Sequence, residues 1–226
     1  MTRDDVLSWL KAEGTKETVE GMTRYGIPND RAFGVPMGEM KKFAKRAGKD
    51  HVLALELWKT GWYEARTVAV LVAEPTKLTR RQMDAWVGEM DSWAICDTAC
   101  FHLFDRAAAA WDAVPDWVAA PKEFVRRAGF ALIWALALHD KKAADDRFLT
   151  CLGLIEDGAG DERNFVKKAV DMALCAIGQR NPALNAAAVE TARRLAGSGD
   201  KTRSWIGRKA LRELESEKVR ARLKLA

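Results

Sequence analysis

The chain has 226 residues, 48% hydrophobic and 31% charged, which excludes a disordered or fibrous polypeptide and supplies enough apolar material for a sizeable core. Lys and Arg number 37 against 32 Asp and Glu, a formal charge of +5 that permits a polyanionic partner without demanding one. No apolar run approaches the roughly 18 residues of a membrane span, and Met1-Thr2-Arg3-Asp4-Asp5 carries no signal-peptide core, so a soluble, cytoplasmic protein is expected.

Helical periodicity dominates from the first residues, and strand-like alternation between turn signals is nearly absent, so the expected class is all-α. Short helices are expected over 3–13 and 17–23, the first ended by Gly14. Tyr25-Gly26-Ile27-Pro28-Asn29-Asp30 and Phe33-Gly34-Val35-Pro36 then read as a loop, and Met37–Arg46 as helix again. Further helices are expected near 50–59, 62–73, 79–89, 92–104, 106–112, 121–138, 145–156, 162–178, 182–196, 201–214 and 216–224. The breaks between them, such as Glu74-Pro75-Thr76, Gly158-Ala159-Gly160 and Gly197-Ser198-Gly199, are too short for a domain linker, and residues 1–226 are expected to form a single domain.

Within this series, Asp91-Ser92-Trp93-Ala94-Ile95-Cys96-Asp97 stands out. On a helix Trp93 and Asp97 lie four residues apart, so an indole and a carboxylate share one face. Such a ring can cover a sugar or base, and the carboxylate beside it can stabilise developing positive charge or orient a water. The same spacing equally suits a core tryptophan and an acid that caps or pairs locally, and spacing alone leaves both readings open. Cys96, Cys100, Cys151 and Cys175 lie in apolar helical surroundings without a C-x-x-C pattern and read as reduced core thiols. His51, His102 and His139 are scattered, which gives neither a metal site nor a triad any support.

A repeat appears in the second half. Phe124-Val125-Arg126-Arg127-Ala128, Phe165-Val166-Lys167-Lys168-Ala169 and Ile206-Gly207-Arg208-Lys209-Ala210 recur with Ala128, Ala169 and Ala210 spaced by 41 residues and 41 again. A unit of about 40–47 residues built from two or three helices is the signature of a HEAT- or armadillo-type α-solenoid. Equivalent positions in stacked repeats point the same way, so the basic pairs would line up as a stripe on a concave surface. Arg66, in Tyr63-Glu64-Ala65-Arg66-Thr67, lies near the start of an earlier helix of similar pattern. Such a row would follow a phosphate backbone, although basic residues also solvate the outer face of many helices.

In this order the motifs Tyr25-Gly26-Ile27-Pro28, Phe33-Gly34-Val35, Leu57-Trp58, Tyr63-Glu64-Ala65-Arg66, Ser92-Trp93 with Asp97, Val125-Arg126-Arg127-Ala128 and Asn164-Phe165-Val166-Lys167-Lys168-Ala169 resemble the AlkD-type alkylpurine DNA glycosylases, which are HEAT-like repeat proteins. The resemblance covers most of the chain. It implies excision of N3- or N7-alkylated purines from double-stranded DNA by a monomer that needs no cofactor or metal, with Trp93, Asp97 and Arg127 as the catalytic group. Asp97 would stabilise the cationic sugar and position water, Trp93 would pack on the sugar, and Arg127 would hold a phosphate. Arg66, Arg126, Lys167, Lys168, Met172, Arg208 and Lys209 would contact DNA. Met172 stands where family members often carry a second tryptophan that encloses the lesion. Relatives that lack the catalytic residues bind DNA without cleaving it, so a non-catalytic DNA-structure binder or a protein scaffold remains as an alternative.

Overall fold

A computed structural model describes residues 1–225. Every regular element among them is helical, and none is long and apolar enough to cross a membrane. The chain divides into two compact units, Met1–Trp111 and Asp112–Ala226.

The first unit comprises α1 (Arg3–Glu13), α2 (Lys16–Met22), α3 (Met37–Ala47), α4 (His51–Lys59), α5 (Tyr63–Val72), α6 (Arg80–Gly88) and α7 (Trp93–His102). Most of these helices begin where a short polar side chain accepts a free backbone N–H: Thr2, Thr15, Asp50, Thr79 and Ser92 all do so. Thr2 and Asp5 form a reciprocal capping box. Helix α5 is the hub and packs against α1, α3, α4 and α7. Its buried positions include a charged one, Glu64, whose environment explains the long loop before α3. One carboxylate oxygen accepts the Phe33 N–H at 2.9 Å, and the other accepts those of Gly34 at 2.7 Å and Val35 at 3.3 Å. A segment without its own ladder of hydrogen bonds is thereby satisfied by a single side chain from the core. Gly34 has φ +84°, and a Cβ there would lie 2.1 Å from the Thr15 carbonyl oxygen, so only glycine fits.

The second unit takes most of α8 (Ala110–Ala119), followed by α9 (Glu123–His139), α10 (Asp145–Gly158), α11 (Asn164–Gly178), α12 (Pro182–Ala196), α13 (Lys201–Leu214) and α14 (Glu217–Leu223). Here the repeat is visible as two layers. Helices α9, α11 and α13 pack side by side in one layer, and α10 and α12 pack against each other behind them. Close approach is achieved with small residues: a Cβ on Gly207 of α13 would lie 2.2 Å from the Ala196 nitrogen and 2.5 Å from the Ala192 oxygen. The helix expected over 106–112 is instead a 3-10 turn, Phe104–Arg106, followed by α8, which runs through Pro115. Proline lacks one N–H and reads as a stop, yet this helix accommodates it in its interior.

Candidate active site and nucleic-acid interface

Ser92 begins α7. Its buried hydroxyl accepts the Ile95 N–H, which makes Trp93 the first helical residue and puts Asp97 one turn further on. Ala94, Ile95, Cys96, Thr98, Ala99 and Cys100 are buried, so α7 is a core helix around most of its circumference. What stays half-exposed is the stripe Trp93, Asp97 and Phe101, with His102 beside it. Trp93 is therefore not a sealed core residue. Its Nε1–H donates to the Tyr25 carbonyl oxygen at 2.8 Å, which fixes the indole against the loop whose far end Glu64 holds. Phe101 did not emerge from the sequence reading, although extending the four-residue step from Asp97 reaches it.

Beside the start of α7 lies a cleft of about 210 Å³ lined by Asp30, Arg31, Tyr63, Arg66, Asp91 and Ile95, among others. Burial pushes the Tyr63 hydroxyl up to about 12, so it stays a neutral hydrogen-bonding group. Arg66 is held firmly in place. Its Nε donates to the Trp58 carbonyl, its Nη1 to the Glu89 carbonyl, and its Nη2 to the Glu89 carboxylate at 2.7 Å. The guanidinium lies 4.9 Å from the centre of the Trp58 ring, which itself stacks on Trp86 at 4.2 Å. This arginine braces α4, α5 and the end of α6.

In the second unit, the three basic pairs sit on the three adjacent helices α9, α11 and α13, as the 41-residue period implies, but their environments differ. Arg127 is only 3% exposed, and its Nη1 donates to the Phe165 carbonyl oxygen at 2.6 Å, tying α9 to the first turn of α11. Arg126 lies 3.4 Å from the Asp161 carboxylate. Asp161 also accepts two hydrogen bonds from the Arg163 side chain and one from its backbone N–H. The Arg163 side chain, more than any other cause, holds the Asp161 carboxyl below the usual range. Lys168 and Arg208 are exposed. Lys167 and Lys209 both approach the Trp205 ring, at 4.8 and 5.2 Å from its centre, and Lys209 is also bonded to Asp171. Two cations from neighbouring helices thus share one aromatic ring.

A second series of arginines escaped the sequence reading. Arg163 donates to the Pro121 carbonyl, Arg180 to the Ala137 carbonyl and Arg222 to the Gln179 carbonyl, each reaching back 42 or 43 residues. Of the three, only Arg180 and Arg222, 42 residues apart, recur near one repeat length in the sequence. Met172, on α11, lines a cleft with Trp134 of α9 and Asp171.

The site therefore offers a carboxylate and an aromatic ring on one open helical stripe in the first unit. The second unit offers exposed cations on adjacent helices. The chain matches the family model for DNA alkylation repair enzymes over residues 6–214. No curated protein matches it by sequence. Among solved structures it superposes with a TM-score of 0.82 on a protein from a family related to the HEAT-like repeat DNA glycosylases with affinity for branched DNA structures. The two share 23% identity over 99% of this chain and 96% of the other. That likeness shows a HEAT-like repeat fold.

Proposed function

The chain belongs to the family of DNA alkylation repair enzymes, and from that premise we propose that it hydrolyses the N-glycosidic bond of cationic N3- or N7-alkylpurines in duplex DNA, acting as a monomer. The observation that carries this reading is the open stripe of α7. On a helix otherwise buried, Trp93 and Asp97 remain half-exposed, and the indole is fixed by its bond to Tyr25. An alkylated purine already bears positive charge and leaves with little acid assistance. The barrier that remains is the cationic character gathering on the deoxyribose. Asp97 stabilises that charge and orients the attacking water, and Trp93 packs its ring on the sugar. Arg127 exchanges the Phe165 carbonyl for a phosphate oxygen when DNA binds. Lys168 and Arg208, with Arg126, Lys167 and Lys209 nearer the protein surface, follow the phosphate backbone.

Base release from methylated duplex tests the assignment. Asp97→Asn should keep duplex affinity and slow release of 7-methylguanine or 3-methyladenine by about 10²-fold or more. Equal release by wild type and variant rules it out.

A second reading has its own support. Arg127 is buried and already hydrogen-bonded, and Met172 offers no aromatic face where the resemblance places a tryptophan. A binder of branched DNA without glycosylase activity is consistent with both facts, and the protein of similar fold comes from a family with affinity for branched DNA structures. Tight binding to a four-way junction with no base release under any condition would select it.

A further inference from the structure

Helices α9, α11 and α13 leave between them a cleft of about 420 Å³, within the range of about 300–1,000 Å³ common to small-ligand sites. Trp134, Leu138, Met172, Cys175 and Ala176 give it apolar walls, and Asp171, Gln179, Lys209, Arg212 and Glu213 supply the polar ones. Most of this polar capacity is already used within the fold. Gln179 donates to Glu213 and accepts from Arg222, while Lys209 is committed to Asp171 and the Trp205 ring. One buried group of the lining is left incomplete. The Asp171 side chain is 4% exposed, its Oδ2 takes Lys209, and its Oδ1 is buried with no hydrogen-bond partner. A buried acceptor in that state is costly, and a cleft beside it that brings a donor relieves the cost.

We propose that this cleft receives an unstacked nucleobase bearing an exocyclic amino group, its faces against Trp134 and Met172 and its amino N–H on Asp171 Oδ1. The walls ask for a flat body with apolar faces, and the unpartnered buried acceptor asks for a donor at the edge of that body. Lys209 and Arg212 are matched by Asp171 and Glu213 along the same walls, so the cleft suits an uncharged base, and the exposed Arg212 suits the phosphate attached to it. Burial pushes the Asp171 carboxyl above its usual range, while Lys209 opposes that shift. Either protonation state leaves an oxygen able to accept. The inference takes DNA as the partner from the reading above but uses neither Trp93, Asp97 nor base release, so failure of the glycosylase reading and failure of this one are separable.

The test uses the full chain and unmethylated DNA with 2-aminopurine as the probe, either in a single-nucleotide bulge or fully paired. Wild type should prefer the bulge by about tenfold, the scale of one hydrogen bond to a charged acceptor, with a fluorescence change on binding. Asp171→Asn and Trp134→Leu should bring the preference close to one, with affinity for the paired duplex within about twofold of wild type. Leu138 is 39% exposed at the cleft, so Leu138→Trp should block the cleft without disturbing the fold, and it decides the matter if the buried variants fail to fold. A bulged purine lacking the amino group should bind wild type no better than it binds Asp171→Asn. Free 2-aminopurine riboside is the second arm: saturable binding that depends on Asp171 identifies a free nucleoside as the source of the same base, and absence of binding there identifies a base within a strand. A bulge preference unchanged in the three variants, or no binding of either probe that depends on Asp171, overturns the proposal.

Discussion

Replacing Glu64 with Gln is the sharpest probe of how the candidate site is held. The carboxylate accepts three backbone N–H groups, from Phe33, Gly34 and Val35, and is 1% exposed. Glutamine retains one oxygen, which can continue to serve Gly34 and Val35, but turns an NH₂ toward the Phe33 N–H. One charge-assisted bond worth about 1.5–3 kcal/mol is lost, and a buried donor is left unsatisfied at a cost of about 1–3 kcal/mol. The sum is on the order of 4 kcal/mol, which lowers Tm by on the order of 10 °C in a chain of this length. Chemical denaturation measures the first quantity and a thermal scan the second. Amide hydrogen exchange adds the local signature: Phe33, Gly34 and Val35 should lose protection, and so should the Trp93 indole N–H, whose acceptor is Tyr25 in the same loop. A loss below about 1 kcal/mol with unchanged exchange at those four groups would refute the claim that one buried acid organises this loop.

Lys168→Ala and Arg208→Ala, at exposed positions, should weaken duplex binding evenly across sequences and each reduce the slope of log K against log salt by about 1; a loss confined to one sequence would refute a phosphate role. Gly207→Ala should destabilise the fold by about 2–4 kcal/mol, because the added Cβ meets the α12 backbone rather than a movable side chain, and urea denaturation reads the loss. Asp161 carries a depressed folded-state pKa, so its contribution is present above the unfolded value of about 3.9 and is lost as pH falls through the lower folded value. Asp161→Asn should therefore lower stability at neutral pH and flatten the acid limb below about pH 4, while a parallel acid limb in the variant would show that another group sets it.

Helix positions were legible because their physical signals are local. Caps such as Thr2, Asp50, Ser92 and Asn181 precede apolar periodicity, and the observed helices begin at them. The 41-residue period was legible because a repeat must bury the same stripe against each neighbour, and α9, α11 and α13 do pack in that order. Side-chain environment was not legible. Glu64 reads as a surface acid of an amphipathic helix, and only the return of a loop 30 residues earlier makes it a buried acceptor. Trp134 reads as packing, and its place in a cleft depends on how deeply α11 and α13 cover α9.

The three basic pairs show why a repeat predicts position better than role. The pairs recur every 41 residues, in the second turn of α9 and α11 and one turn further along α13, and the second member is buried in Arg127, exposed in Lys168 and paired with an acid in Lys209. The difference follows from what the next repeat supplies at that point. Beyond α9 the first turn of α11 presents the Phe165 carbonyl, which takes a guanidinium, whereas α11 itself presents Asp171 to the ammonium of Lys209. A cation given a buried partner contributes to joining helices, and one without such a partner stays available to a polyanion. The exposed pair Lys168 and Arg208 is thus where binding to DNA should be strongly salt-dependent. Arg127 must first surrender an internal bond, so its replacement should lower stability as well as activity. An Arg127→Ala variant that retains full stability would mean that the bond to Phe165 contributes little and that the guanidinium is freer for phosphate than its burial implies.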